Sequence, residues 1–362
     1  MKRARVIVWG TGFVGKLVLR ELLGGHPAFE LAGVIVHDPR KHGVDVGELV
    51  GLPPCGLRAS TDIDAVLATP ADAVAYFGPT AMYLQENLSN MSRALRAGKH
   101  VVSTAMTPLV WPDACPDAIT APLREACREG GTACFTTGID PGFANDLFPL
   151  TLLGVCARVD RVRVQEILDY ASYPGDLSPM GFGAPLDERC VLEEPEVLIF
   201  AWGHTLPLIA RAAGVALERV DTVWEKWAAE RPTAWAHGTV APGRCAAVRF
   251  EIRGWVDGEP RIVLEHVNRL GADAAPAWPR PRGVDNDAYR VLIDGSPDVV
   301  QETTFRGGPR KDANVGGCLA TGMRALNAIP AVCAAPPGLL SALDLPLVPG
   351  LGTIRADAAP RR

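Results

Sequence analysis

Apolar residues recur in two alternating rhythms along the first third of this 362-residue chain. Arg5-Val6-Ile7-Val8-Trp9 is a short unbroken apolar run, the mark of a strand buried on both faces, and it stops at Gly10. Over 13–23, Val14, Leu17, Val18 and Leu22 fall at helical spacing. The alternation then repeats. Strands are expected over 31–37, 72–77, 100–103 and 132–136. Helices are expected over 80–97, with Leu84, Leu88, Met91 and Leu95 on one face, and over 116–128. A further helix is expected to start near Phe143-Ala144-Asn145, after the Asp140-Pro141-Gly142 turn. Strands separated by helices in this way predict a parallel sheet covered on both faces.

The texture changes after about residue 157. Long β-rich runs appear over 158–170, 246–256, 261–269, 288–293 and 299–305, with turns such as Val256-Asp257-Gly258-Glu259 between them. Helical patterns interrupt at 205–213 and 317–328. The fold class expected is α/β: an N-terminal Rossmann-type parallel sheet, then a second α+β domain built on an open mixed sheet. The expected boundaries are 1–156 for the first domain and 157–312 for the second. A closing helix and C-terminal segment, 313–350, is expected to pack back on the first domain, and 356–362 reads as a frayed tail.

Composition narrows the function classes. The chain is 48% hydrophobic and 21% charged, enough to build sizeable cores. A net charge of −5 argues against a nucleic-acid or anionic-membrane partner. No run of 18 apolar residues exists, and the apolar run in MKRARVIVWG is too short for a secretion signal. Nine cysteines at irregular spacing, with no C-x-x-C pair, read as reduced thiols in a cytoplasmic protein. The seven histidines form no H-x-H or H-x-x-x-H pair, so no metal site is expected.

Gly10-Thr11-Gly12-Phe13-Val14-Gly15 sits between a strand and a helix. The first glycine allows the tight turn, the second lets backbone approach a pyrophosphate, and the third lets helix and strand pack closely. Free N–H groups at the helix start would face the phosphates, so the first domain is expected to bind a dinucleotide. The second strand ends in Val36-His37-Asp38-Pro39-Arg40-Lys41, where the adenosine ribose belongs. An acid there favours NAD, whereas Arg40 and Lys41 favour NADP. Both features are present and the choice stays open, with the basic pair tilting toward NADP. Other strand tips on the same edge are Phe77-Gly78-Pro79-Thr80 and Ser103-Thr104-Ala105, and Asn145 is expected at a helix start aimed at the same ligand.

Taken with GTGFVG at 10–15, the stretches VIVHDPRKHGVDVGELVG (34–51), GKHVVST (98–104), TGIDPGFANDLFPL (137–150), MGFGAPLDE (180–188) and ALNAIPAVCAAPPGLLSALDLP (325–346) give the chain a specific resemblance. It is similar, over nearly its whole length, to the dihydrodipicolinate-reductase-like group that includes 2,4-diaminopentanoate dehydrogenase and the native amine dehydrogenases. The resemblance implies a Rossmann domain with a substrate domain, an NAD(P) cofactor, a homodimer or higher oligomer, and hydride transfer to an imine or carbonyl carbon. The small-molecule substrate it implies is an amine, imine or ketone. Amine dehydrogenases of this group carry a glutamate just after the Ser-Thr pair. Here the matching positions read Ala105-Met106-Thr107-Pro108, with no carboxylate, and neither methionine nor threonine balances an iminium charge.

An acid must then come from elsewhere. Strand alternation puts Glu166 on one face of the 158–170 run and Asp169 on the other, so either face presents a carboxylate. Tyr173, in the loop that follows, is a proton or hydrogen-bond donor candidate. Met106, Thr107, Phe143, Met180, Phe182, Trp202 and His204 are expected to line a mostly apolar substrate pocket. Two alternatives stand beside the amine-dehydrogenase-like reading: an ammonia-independent imine or carbonyl reductase, and a non-catalytic dinucleotide-binding or sensor protein.

Overall fold

The computed structural model describes residues 3–79, 83–283 and 285–354; Thr80 and the expected tail at 356–362 lie outside the described residues. The chain divides into two compact units. One comprises the residues up to Gly138 together with those from Thr321 on, and the other is Ile139–Ala320. Residues 139–156, expected with the first domain, and 313–320, expected with the closing segment, group with the second unit.

The first unit begins β1 (Ala4–Trp9), α1 (Phe13–Leu23), β2 (Phe29–Ile35), α2 (Val46–Leu49), α3 (Ile63–Leu67), β3 (Ala73–Tyr76), α4 (Leu84–Arg96), β4 (His100–Ser103), α5 (Asp117–Gly130) and β5 (Ala133–Thr136). The second carries α6 (Leu147–Leu153), β6 (Arg158–Asp169), α7 (Pro195–Leu198), α8 (Thr205–Ala213), β7 (Arg219–Ala228), the small hairpin β8 (Thr233–Trp235) and β9 (Gly238–Val240), then β10 (Cys245–Val256), β11 (Glu259–Arg269), β12 (Ala288–Ser296) and β13 (Val299–Thr303). Helix α9 (Ala313–Ala334) and strand β14 (Gly338–Leu340) close the chain.

The first sheet runs β14-β5-β4-β3-β1-β2, with every pairing parallel. Val6, Ile7 and Val8 have no exposed surface, as a strand covered on both faces requires. Each such side chain contributes roughly 1.5–3 kcal/mol on burial. Ala325, Leu326, Ile329 and Val332 of α9 join this core beside Val6, Val18 and Val34. A Cβ on Gly322 would sit 2.4 Å from Val18 Cγ2, so only glycine lets α9 approach α1 this closely. Strand β14 was not expected from the sequence: three residues, Gly338-Leu339-Leu340, carry no readable period.

The second sheet runs β13-β12-β6-β11-β10-β7, antiparallel except for the β6–β11 pair. One face packs Val162, Val164, Phe250, Ile252 and Leu264 against Leu206 and Ile209 of α8. The other face carries charge. Glu265, 1% exposed, accepts from Arg163 Nη1 at 2.6 Å, Arg249 Nε at 2.6 Å and Gln165 Nε2 at 2.7 Å. Burial favours the neutral acid, but the two guanidiniums outweigh it and the Glu265 pKa is lowered. Strand β7 also escaped the sequence reading. It is a sheet edge on which Val220–Trp227 are all half-buried, so neither face reads as clearly apolar.

A dinucleotide groove and a buried acid–histidine cluster

In the first unit, three glycines shape the turn between β1 and α1. Gly10 has φ +106°, and a Cβ on it would lie 2.2 Å from the Phe77 carbonyl oxygen. A Cβ on Gly15 would lie 2.1 Å from the Gly10 carbonyl oxygen, so the helix can sit on the strand only without a side chain there. Gly12 differs: a Cβ would meet no heavy atom within 4 Å. It opens α1, whose first turn carries no acidic side chain and whose N-cap is not closed by one. Backbone N–H groups there are therefore free to take an anion.

This turn borders a groove of about 570 Å³ lined by Gly10, Thr11, Gly12, His37, Asp38, Lys41, Phe77, Gly78 and Pro79, with Trp9, Ile35, Thr61, Ile63, Tyr76 and Asn90 among its other walls. Tyr76 was not anticipated. Its hydroxyl donates to Asn87 Oδ1 at 2.8 Å, and a Cβ on Gly78 would strike its ring at 2.4 Å. At the groove's polar end, Arg40 forks onto Asp38, with Nε–Oδ1 at 3.0 Å and Nη2–Oδ2 at 2.8 Å. That contact with Arg40 holds the Asp38 carboxyl down at about 2. Lys41 Nζ donates to Thr11 Oγ1 at 3.1 Å, and His37 lies 3.6 Å from Glu86.

Other expected cofactor residues lie off the groove lining. Phe13 is on the exposed side of α1, while Val14 packs toward Gly322 of α9. Ser103 Oγ accepts from the Ala105 amide at 3.1 Å, and the Thr104 amide donates to the Tyr76 carbonyl, which together turn the chain at the tip of β4. Asn145 belongs to the second unit. The helix expected to start near residue 143 begins instead at Leu147, because the turn at 139–146 closes on itself first: the Asn145 and Asp146 amides donate to the Gly142 carbonyl. Met106, expected in the substrate pocket, has no exposed surface, and Thr107 opens a short 3-10 turn, Thr107–Val110.

In the second unit, strand register assembles a row of side chains across five strands. Tyr289 pairs with Glu166, Glu166 with His266, His266 with Phe250, and Phe250 with Trp224. Opposed residues share a face, so all five project to the same side. Asp140 joins them from the turn before α6. His266 Nε2 lies 3.1 Å from Asp140 Oδ2, and Nδ1 lies 3.5 Å from Glu166 Oε1. Neither approach follows an N–H direction, so charge rather than a directed hydrogen bond holds these three together. Glu166 Oε1 accepts from the Tyr170 hydroxyl at 2.7 Å and from Asn268 Nδ2 at 2.9 Å. Burial raises the Glu166 pKa, with Asp140 adding to the rise and His266 opposing it. Burial alone would lower the His266 pKa, but the two acids outweigh it and the value is raised.

The ligating atoms of Asp140, Glu166 and His266 fall within 4.8 Å of one another, close enough for a cation to bridge. No metal site was expected here, and neither Asp140 nor His266 had been singled out. Their meeting depends on strand pairing that no local pattern reveals. Glu166 stands at the centre of the cluster, as alternation allowed. Asp169, its alternative, is committed to backbone: Oδ1 accepts from the Ala171 and Gly271 amides, each at 2.9 Å. Tyr173 stacks on Tyr170 at 5.2 Å, and burial pushes its hydroxyl up to about 12. Trp202 stands edge-on to His266 at 5.2 Å, and Met180 and Phe182 pack in the same unit's core. Phe143 lies against Phe148 at 4.5 Å.

His204 is buried, and burial pulls its pKa down to about 4. Below pH 6.5 the unfolded chain binds a proton that the fold refuses, so stability falls as pH drops from 6.5 toward 4. Between pH 7 and pH 5 this one group should cost about 2 kcal/mol. His204→Gln should flatten that part of the acid limb in urea titrations run at both pH values. An unchanged slope would mean that the imidazole charges freely in place.

Comparison with known proteins adds four findings. A family model described as the 2,4-diaminopentanoate dehydrogenase C-terminal domain matches residues 143–358. An amine dehydrogenase of Streptomyces virginiae is 39% identical over 96% of this chain and 98% of its own length. A 2,4-diaminopentanoate dehydrogenase of Acetoanaerobium sticklandii is 22% identical over 96% and 94%. Among solved structures, an amine dehydrogenase from Mycobacterium smegmatis aligns with a TM-score of 0.77 at 21% identity, covering 96% of this chain and 97% of that one, a likeness of fold.

Proposed function

The chain belongs to the family of 2,4-diaminopentanoate dehydrogenase and the amine dehydrogenases, and from that premise we propose that it interconverts an amine and the corresponding imine or ketone with NADP as its preferred cofactor. It is an NAD(P)-dependent oxidoreductase acting on amine groups. The bound dinucleotide supplies the hydride donor or acceptor. The chain's own residues do the holding and the proton handling. The amides at the start of α1 take the pyrophosphate, and Glu166, whose pKa burial raises, stands beside His266 and Tyr170 as the acid placed to hold or pass a proton.

One observation carries this reading: the open space at Gly12, on a groove that continues to Asp38 and Lys41. A side chain would fit there without a clash, so the protein's own packing does not demand glycine, and a bound phosphate would. The test is NADPH oxidation with a ketone, with and without ammonium. The expected rate depends on ammonium and saturates with it. Turnover indifferent to ammonium would support the second reading, an ammonia-independent imine or carbonyl reductase. That reading is favoured by the Ala105-Met106-Thr107-Pro108 segment, which has no carboxylate.

The preference for NADP is argued from charge. Arg40 neutralises Asp38, the group that would repel a 2′-phosphate, and its own side chain is 90% exposed. Lys41 adds a second cation beside Thr11. Arg40→Ala is expected to weaken NADPH binding about tenfold and NADH binding less than twofold, since only the former carries the extra phosphate. Equal losses for both dinucleotides in a fluorescence titration would remove the preference.

A further inference from the structure

The cluster in the second unit is richer in acceptors than in donors. Both oxygens of Asp140 and the side-chain oxygen of Asn268 are buried with no hydrogen bond, and the two His266 nitrogens have no directed partner either. The Asp140 side chain is 2% exposed, and Asn268 is fully buried. Asp140 Oδ2 faces His266 Nε2 at 3.1 Å, which leaves Asp140 Oδ1 and Asn268 Oδ1 unmet; an orphaned buried polar atom costs about 1–3 kcal/mol, so the pair marks a place shaped for something else. The charge has a sign as well. Two acids face one imidazole, so acidic groups outnumber basic ones.

Resting on the amine reading above, we infer that Asp140, Glu166, His266 and Asn268 seat the protonated nitrogen of a primary amine. Such a group brings one positive charge and three N–H donors to a cluster of two acids and one imidazole, in which Asp140 Oδ1 and Asn268 Oδ1 have no partner. The walls suit it. Phe250 stacks on His266 at 4.5 Å and Trp202 closes its edge at 5.2 Å, so water is kept off and an aromatic face lies near a cation.

A metal ion is the rival occupant of the same atoms, which lie within 4.8 Å of one another, and the zinc titration below separates the two. Metal binding uses an in-plane lone pair of one ring nitrogen, yet Asp140 and Glu166 approach different nitrogens of the same ring. A protonated ring between two carboxylates, with the amine held by their remaining oxygens, uses all of them.

The experiment titrates the whole protein with methylammonium chloride, tetramethylammonium chloride or zinc chloride, each followed by saturation-transfer NMR or calorimetry. Methylammonium should bind, and tetramethylammonium, with equal charge but no N–H, should bind at least tenfold more weakly. Asp140→Asn and Glu166→Gln should each raise the methylammonium Kd at least tenfold while the NADPH Kd stays within twofold, which reports an intact first unit. Asp140→Glu should restore part of the loss. In turnover, the same two variants should raise KM for ammonium more than they lower kcat. Methylammonium and tetramethylammonium binding alike, unchanged Kd and KM values in both variants, or zinc bound one-to-one and lost in Asp140→Asn would each overturn the seat. Specific methylammonium binding by a protein that turns over no amine would uphold the seat and sink the activity. Amine turnover with both variants unaffected would do the opposite.

Discussion

Gly12→Ala is expected to fold like the wild type and to bind NADPH about 10- to 100-fold more weakly, a loss of roughly 1.4–2.8 kcal/mol. The two halves of that statement have separate causes. The new methyl group meets no atom of the protein within 4 Å, and Gly12 has φ −72°, a value any residue adopts. Nothing in the fold therefore resists the change. The methyl group does occupy space at the mouth of α1, where a pyrophosphate must touch backbone N–H groups to be held by them. Gly10→Ala is the contrasting control. Its Cβ would lie 2.2 Å from the Phe77 carbonyl oxygen, at a φ of +106°, so it should lower the thermal midpoint as well as the affinity. Fluorescence titration with NADPH and a thermal melt separate the two. Wild-type affinity in a normally folded Gly12→Ala protein would mean that the phosphates bind elsewhere.

Glu265→Ala should cost the second unit about 2–3 kcal/mol, because Glu251 and Glu225 still compensate part of the buried charge. Its carboxylate accepts from Arg163, Arg249 and Gln165 on the charged face of the sheet, and removing it leaves both largely buried guanidiniums to Glu251, with Glu225 reaching only Arg249. Glu265→Gln, which keeps shape and one acceptor, should cost less. Because the folded pKa of Glu265 is lowered, its contribution is full above the ordinary glutamate range and is lost as pH falls through the depressed value. Hydrogen exchange in β6, β10 and β11 resolves this unit's stability from that of the other. Exchange protection reduced by less than 1 kcal/mol would show that the arginines find water or other acids instead.

Much of this was legible in the residues. Gly10 and Gly24 bracket α1, and the bounds Phe13–Leu23 follow from that punctuation and a clean apolar stripe. Thr205–Ala213 and His100–Ser103 were equally readable, one ending at a left-handed Gly214, the other a short buried run. The floor of the groove was readable too, since glycine spacing and strand tips lie close together in sequence. Reading failed where long-range pairing decides. Nothing near His266 in Ile262-Val263-Leu264-Glu265-His266 tells which strand will lie beside it, and Asp140 reads as part of an ordinary turn. Even the burial of Met106 is a packing outcome, invisible in a segment that looks like an open loop.

The cross-strand row from Tyr289 to Trp224 sets a limit on how this protein's lineage can change. Each of the five side chains comes from a different strand, and a slip of one residue in any of them would turn that side chain to the opposite face. Insertions and deletions inside these strands are therefore barred in a way that replacements are not. Descendants with new substrate tastes should differ at these positions by exchange of side chains, and should vary in length only in the connections outside the ladder.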